Sequence, residues 1–141
     1  MNPQILDLLA ELVRLHRYSL VRYLRYADPW AENREATEVL RQISDMQEAA
    51  AERLETVILQ YDGELPVGDF PLEYTSLHDL ALNYLLPKAI EHQRGLVASL
   101  RDAVGQLDDE PEIQALVEEA LGEAKGHLES LEELVTAKSA A

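Results

Sequence analysis

Four long segments of the chain repeat apolar side chains at alternating steps of three and four residues, and three breaks separate them. This spacing places the apolar residues on one face of an α-helix, so each segment predicts an amphipathic helix that buries that face. The predicted helices cover about residues 3–28, 32–61, 76–107 and 111–137. We therefore expect an all-α chain with a single helical bundle domain over residues 1–141.

Local signals mark the ends of these predicted helices. The pair Asn2-Pro3 is a good N-terminal cap followed by proline at the first helical position, and Asp28-Pro29 ends the first helix. Gly63 is typical of a helix C-terminus and predicts the end of the second helix. Ser76, followed three residues later by Asp79, resembles a capping box and predicts the start of the third helix.

The connection between the second and third helices predicts the topology. A connection of about 14 residues, from Asp62 to Thr75, can span roughly 46–50 Å when extended. Helices of about 28 residues are roughly 42 Å long, whereas antiparallel neighbours need only about 2–8 connecting residues. We therefore predict that the second and third helices are parallel, with one long crossover between two helical hairpins. A simple up-down bundle with a loose middle loop is the alternative.

Composition excludes several classes of function. The formal net charge of −15 argues against a nucleic-acid partner, because binding to phosphates needs clustered Lys and Arg. No apolar run is long enough to cross a membrane and no secretory leader is visible, so we expect no membrane partner and a cytoplasmic location. The absence of cysteine excludes disulfides, thiolate metal sites and cysteine nucleophiles.

Two helices carry motifs of a known family. The segment from Glu110 to Glu132 is similar, without a gap, to the last bundle helix of bacterioferritins. This match aligns His127 with the family's His and Ala124 with the Glu three residues earlier. In the second helix, the segment Ala50-Ala-Glu-Arg-Leu resembles the family's His-Ala-Glu-x-Leu, which aligns Ala50 with the His and Gln47 with its partner Glu.

The other two helices extend the resemblance. In the first helix, the segment His16-Arg-Tyr-Ser-Leu-Val-Arg-Tyr-Leu is similar to the family's Glu-Leu-x-Ala-x-Tyr-x-Tyr-Leu, with His16 in the Glu position. In the third helix, Leu100-Arg-Asp-Ala-Val resembles Leu-Arg-Glu-Ala-Ile and aligns Gln93 with the Glu, although a shift of two residues selects Glu91 instead. The resemblance implies a ferritin-like antiparallel four-helix bundle with its crossover between the second and third helices.

The resemblance also implies that the family's metal site has been lost. In ferritin-like di-iron proteins, two helices each give one Glu and two others each give Glu-x-x-His. Of these six positions only His127 keeps the family's residue. We therefore expect no standard di-iron ferroxidase site. The hypothesis is a non-enzymatic module that forms a homo-oligomer, a dimer or larger, or binds a protein partner that the sequence does not identify; enzymatic activity is left open.

His16 and His127 leave two interpretations open, because both lie on predicted core faces. The first is a pair of buried neutral histidines that hydrogen-bond neighbours such as Gln47 or Gln93. The second is a rebuilt site for a single transition metal ion, Zn, Cu or Fe, used for metal storage or redox work. The candidate ligands of that site are His16, His127, Gln93, Gln47, Glu91 and Glu123. No cofactor follows with certainty from these residues.

Three further features allow two interpretations each. The small residues Ala50 and Ala124 indicate either close helix packing or a central cavity that admits a small ligand. An aromatic cluster at the end of the first helix and in the following turn indicates either the end of the core or a subunit interface; it consists of Tyr18, Tyr23, Tyr26 and Trp30. The basic first helix is either solvated or packed against the acidic last helix, in this chain or in a neighbouring one.

Overall fold

The chain is described by a computed structural model that covers residues 2–31, 34–77 and 80–140, with the side chains of 137–140 excepted. Within these ranges it contains five α-helices, one 3-10 helix and no strand, which confirms the prediction of an all-α chain. The elements are listed in chain order: α1 (Pro3–Arg17), α2 (Leu20–Ala27), α3 (Arg34–Gln60), the 3-10 helix (Leu72–Leu77), α4 (Leu82–Gly105) and α5 (Pro111–Ala140). No helix of the described residues is long and apolar enough to span a membrane.

The predicted first helix is broken into two, so the expectation of one helix over residues 3–28 is wrong. Ser19 caps the second piece, because its hydroxyl accepts a hydrogen bond from the backbone N–H of Arg22 at 3.2 Å. The Arg22 side chain in turn donates to the carbonyl of Arg17 at the end of α1, at 3.0 Å. The apolar spacing runs across this break without interruption, which is why the sequence pattern does not reveal it.

The third predicted helix begins later than expected, at Leu82 instead of residue 76. Ser76 belongs to the 3-10 helix and donates its hydroxyl to the carbonyl of Glu73 at 2.9 Å; its predicted capping partner Asp79 lies outside the described residues. Tyr74 explains the difference, because its ring is buried and stacks at a tilt on Tyr23. Burial of this aromatic ring draws the connection onto the core and overrides the local capping signal.

The second predicted helix ends close to the expected place by a different device. Residue 32, its expected start, lies outside the described residues, and α3 ends at Gln60. Asp62, and not Gly63, adopts the left-handed conformation, with φ of 59°. The N–H groups of Asp62 and Gly63 donate to the carbonyls of Leu59 and Ile58, as in a Schellman motif. Gly63 is needed because a Cβ there would lie 2.8 Å from the Ile58 side chain.

The helices enclose two apolar clusters, one on each side of a polar layer. The first cluster includes Leu12, Leu54, Leu100 and Val117, and the second includes Leu24, Leu40, Leu85 and Leu131. In chain order, α1–α2 and α5 pass from the first cluster to the second. Helices α3 and α4 pass from the second cluster to the first, so these two helices run in the same direction and antiparallel to the others.

Three basic residues of α1 and α2, Arg17, Arg22 and Arg25, form ion pairs with α3. Arg17 forms ion pairs with Glu55 and Glu48, and Arg25 pairs with Asp45. Among the described side chains of this chain, the interpretation that the basic first helix lies against the acidic last helix is therefore wrong. The acidic face of α5 is left exposed, and Glu123 is the residue of α5 that pairs with α3, through Arg53.

Candidate functional site

Among the described residues, a polar layer crosses the core between the two apolar clusters. It contains the buried polar residues of the described chain: His16 of α1, Ser44 and Gln47 of α3, Gln93 of α4, and His127 of α5. The 3.6-residue period of each helix puts these residues on its buried face, and the alignment of the helices against one another brings them between the two apolar clusters. Four of the six predicted ligand residues are thus buried together, as their positions on the apolar seams predict.

Hydrogen bonds join the amides of this layer from one helix to the next. The hydroxyl of Ser19 donates to Gln47 Oε1 at 2.6 Å, and Gln47 Nε2 donates to Gln93 Oε1 at 3.3 Å. Gln93 Nε2 then donates to the backbone carbonyl of Ala124 at 3.0 Å. Because each amide uses both its oxygen and its nitrogen, the chain of bonds is closed within the protein and needs no metal ion to satisfy it.

His16 has one nitrogen committed to the backbone and one left over. Its Nδ1 lies 2.7 Å from the carbonyl oxygen of Leu12, one turn earlier in α1. A carbonyl oxygen only accepts, so the proton of the neutral ring is assigned to Nδ1 and the lone pair to Nε2. Burial is the main cause of a lowered pKa of His16, and the charge of Arg53 acts in the same direction, against the raising effect of the Leu12 bond. The ring is therefore neutral near pH 7.

His127 faces His16 across the bundle and is also neutral. Burial, and secondly the nearby His16, lower the pKa of His127 to about 4. Its ring makes no hydrogen bond to any of the described residues. The side chains of His16, Gln47 and Gln93, by contrast, are each hydrogen-bonded. Two neutral imidazoles in one layer are compatible with metal binding, because imidazole binds metal through an unprotonated nitrogen.

The space between these residues is small. A cavity of about 10 Å³ is lined by His16, Gln47, Ala50, Ala124 and His127, among others. This volume accommodates about one water molecule and is far below the roughly 300 Å³ at which small-ligand sites begin. The interpretation of Ala50 and Ala124 as the walls of a ligand-binding central cavity is therefore wrong, and they serve close packing of α3 and α5.

The two acidic candidates lie differently from the buried ones. Glu123 borders the small cavity, but both of its carboxylate oxygens accept hydrogen bonds from Arg53, at 2.7 and 2.9 Å. Glu91 is exposed, lies 3.7 Å from Arg94 and does not border the small cavity. No group of three or more His, Asp or Glu side chains among the described residues is arranged to hold a metal ion.

A second cavity beside the polar layer was not predicted. This side pocket has a volume of about 610 Å³ and lies between the α1–α2 junction, the segment 68–74 and the middle of α4. Its residues include Tyr18, Tyr74 and Gly95. No sequence signal identifies it, because it depends on the helix break at Ser19 and on the path of the connection, and neither follows from helical periodicity.

Comparisons with known proteins leave the family open. Neither the models of known protein families nor the curated proteins contain a match to this chain. The ferritin-like resemblance therefore rests on the sequence motifs.

Proposed function

We propose that this chain is a ferritin-like four-helix bundle that has lost the di-iron centre and acts without catalysis, as a homo-oligomeric or partner-binding module. The observation that carries the proposal is the chain of hydrogen bonds in the polar layer, which runs from Ser19 through Gln47 and Gln93 to the carbonyl of Ala124. The cavity beside it has a volume of about 10 Å³, too small for two iron ions with their carboxylate ligands.

The direction of the helices supports the ferritin-like part of the proposal. The connection leaves α3 at Gln60, beside the first cluster, and enters α4 at Leu82, beside the second cluster. A connection between two parallel helices has to travel the length of the bundle. One long crossover between the α1–α3 hairpin and the α4–α5 hairpin accounts for this path, whereas an up-down bundle would make α3 and α4 antiparallel.

The chemistry of the layer supports the loss of di-iron function. Iron pairs in these bundles are held by carboxylates, whose charge offsets that of the metal ions. Gln47 and Gln93 are uncharged amides, and both are engaged in hydrogen bonds. Ala50 and Ala124 have no ligand atoms in their side chains. Two iron ions would therefore be left without charge compensation in a buried layer.

An exposed aromatic patch supports the module part of the proposal. Tyr26 at the end of α2, Trp30 in the following turn and Tyr84 at the start of α4 are 85%, 66% and 63% exposed. They lie at the same end of the bundle, where the N–H of Leu82 donates to the carbonyl of Trp30 at 2.8 Å. Exposed Tyr and Trp are enriched at protein interfaces. This end patch is the surface that we propose for contact with a second copy of the chain.

Sedimentation velocity tests the oligomer. We expect the wild-type protein to sediment as a dimer or larger species, because the end patch loses exposed aromatic surface on association. Each of the substitutions Trp30→Ser and Tyr84→Ser should raise the dissociation constant by about 30-fold, and the double variant by several hundredfold, since buried aromatic anchors contribute roughly 2 kcal/mol or more each. Val67→Ser, which changes an exposed apolar residue of the connection, is the matched control and should leave the assembly unchanged. A monomeric wild type would contradict the homo-oligomer.

A second candidate function is the binding of one transition metal ion by His16 and His127. It is favoured by the free Nε2 lone pair of His16 and by the ring of His127, which lacks a hydrogen-bond partner among the described residues, because both rings border the same small cavity. Imidazole suits Zn²⁺, Cu²⁺ or iron. Such a site has no available third protein ligand, because Glu123 accepts hydrogen bonds from Arg53 and the amide nitrogen of Gln93 donates to the carbonyl of Ala124.

Metal analysis separates the two candidates. We expect protein purified without chelator to contain no stoichiometric metal, and its Tm to stay constant when Zn²⁺ or Fe²⁺ is added. Metal bound only by the native state would stabilise it by about 2.7 kcal/mol at a concentration 100 times the Kd. Stoichiometric metal that is lost in His16→Ala and His127→Ala, but kept in the control His92→Ala, would overturn the first proposal in favour of the second.

A further inference from the structure

The side pocket has the size and walls of a small-molecule site. Its volume of about 610 Å³ lies within the range of roughly 300–1,000 Å³ that is typical of such sites. Leu20 and Leu96 contribute apolar walls, and Tyr18 and Tyr74 contribute aromatic ones. Tyr74 is held in place by contacts of its ring with Tyr23 and by a 3.2 Å hydrogen bond between its hydroxyl and His92 Nδ1. The site is thus built on residues that are already positioned by the fold.

A glycine keeps this volume open. Gly95 lies in the interior of α4 and borders the pocket, and a Cβ placed on it would meet nothing within 4 Å. Glycine in a helix interior destabilises the helix by about 1 kcal/mol relative to alanine. Gly95 is exposed and has no side chain, so a side chain introduced there has room to extend over the pocket.

A second glycine closes the opposite wall. A Cβ on Gly68 would lie 3.2 Å from Tyr18 Cε2, closer than ordinary van der Waals contact. Glycine there lets the connection pass directly against the Tyr18 ring, which also stacks edge-on with Phe70 at a centroid distance of 5.6 Å. The two glycines therefore act in opposite ways, since Gly68 brings the wall close and Gly95 leaves the interior open.

The charges around the pocket favour a cation. Asp69, Glu73 and Glu91 line it, against Arg14 as the positively charged lining residue, and Arg14 already forms an ion pair with Glu11 at 3.2 Å. His92 adds no charge near neutral pH, because burial lowers its pKa against the raising effect of Glu73 and Glu91. These carboxylates are exposed, so they attract a cation to the pocket and guide its approach, and their contribution to affinity is modest.

We propose that the side pocket binds a small amphipathic organic cation, an amine with an apolar aryl-alkyl body. The apolar body lies between Tyr18, Tyr74 and Leu96, and the ammonium group faces the acidic side chains of Glu73 and Glu91. Tyrosine rings next to the ammonium add a cation–π attraction. This proposal does not depend on the loss of the di-iron centre, because the residues that the pocket shares with the hydrogen-bond chain of the polar layer, Ser19 and Gln93, are engaged in that chain.

A matched series of three probes tests the charge. Titration of the wild-type protein with 4-phenylbutylamine, 4-phenylbutanol and 4-phenylbutyrate, followed by amide chemical shifts in NMR spectra, compares a cation, a neutral molecule and an anion with the same body. We expect the amine to bind about tenfold more tightly than the alcohol, and the carboxylate to bind most weakly, with shift changes around Gly95 and Tyr18. Equal binding of all three probes, or no binding of any, would overturn the proposal.

Two sets of variants test the location. Gly95→Leu fills the pocket and should weaken amine binding by at least about tenfold, whereas Gly122→Leu, at an open helical glycine of α5, should not. Glu73→Gln/Glu91→Gln should reduce the preference for the amine over the alcohol by about three- to tenfold and leave alcohol binding unchanged. Unaltered amine binding in Gly95→Leu would show that amines only associate with the acidic surface. If Gly95→Leu fails to fold, the double Gln variant decides, and an unchanged preference for the amine over the alcohol in that variant would overturn the location.

Discussion

Lowering the pH from about 6.5 to about 4 will destabilise the fold through the two buried histidines of the polar layer. Both have a lowered pKa in the folded protein, and that of His127 is about 4. Above the unfolded-state pKa the ring is neutral in both the folded and the unfolded protein, so the histidines do not lower the free energy of unfolding. As the pH falls below that value the unfolded state takes up protons that the folded state excludes, so stability decreases until the folded-state pKa is reached. His127 alone should account for about 2 kcal/mol, after allowance for its residual exposure.

Urea unfolding at several pH values between 7 and 4.5 measures this effect. His127→Gln should remove the share of His127 from the pH dependence, and His16→Gln should flatten it further. Protonation of carboxylates at low pH also reduces the repulsion due to the net charge of −15, which changes the free energy of unfolding of wild type and variant alike. The difference between the two free energies of unfolding removes this common contribution. His92→Gln changes a histidine outside the polar layer and should preserve most of the slope. Identical pH profiles for wild type and His127→Gln would show that this ring is not buried in its neutral form.

Replacing Gln93 by Leu will destabilise the protein by about 1–3 kcal/mol at pH 7, although leucine is more apolar. The substitution leaves the Nε2 donor of Gln47, buried in the polar layer, without its acceptor. Gln47→Leu should cost a similar amount, since it leaves Gln93 Oε1 and the Ser19 hydroxyl without their partner. An unsatisfied buried polar group costs more than the bond itself contributes.

A double-mutant cycle gives the sharper test of this closed chain of bonds. Gln47→Leu/Gln93→Leu removes both partners together, so it should cost less than the sum of the single variants by about 1 kcal/mol or more. Gln42→Leu, at an exposed position of α3, should stay within about 0.5 kcal/mol of the wild type. Strict additivity of the two core substitutions would contradict the hydrogen bond between the amides.

Both expected results concern the role of the polar layer in the fold. A polar layer that is stable only when its amides are paired and its imidazoles are neutral has a structural role, whether or not any ion enters it. The side pocket lies next to this layer but draws on different residues, chiefly Tyr18, Tyr74 and Gly95. The proposed loss of metal chemistry and the proposed binding of a small cation are therefore independent hypotheses, and each can fail without the other.

The positions of the buried polar residues could be read from the sequence. His16, Gln47, Gln93 and His127 occupy the apolar seams of their helices, and a 3.6-residue period determines which face of a helix is buried whatever packs against it. The all-α class and the approximate ends of α3 and α5 follow for the same reason, because they depend on local spacing and on capping residues.

Features that depend on contacts between distant segments were decided only by the tertiary structure. The break at Ser19 requires Gln47 and the carbonyl of Ser44 on α3 as partners for the Ser19 and Arg22 side chains. The late start of α4 follows from the burial of Tyr74. The pairing of Glu123 with Arg53 depends on the packing of α5 against α3, which brings the two side chains within hydrogen-bond distance. The seams of single helices therefore predict where the polar layer lies, whereas the hydrogen bonds that close it and the pocket beside it depend on neighbours that no local pattern specifies.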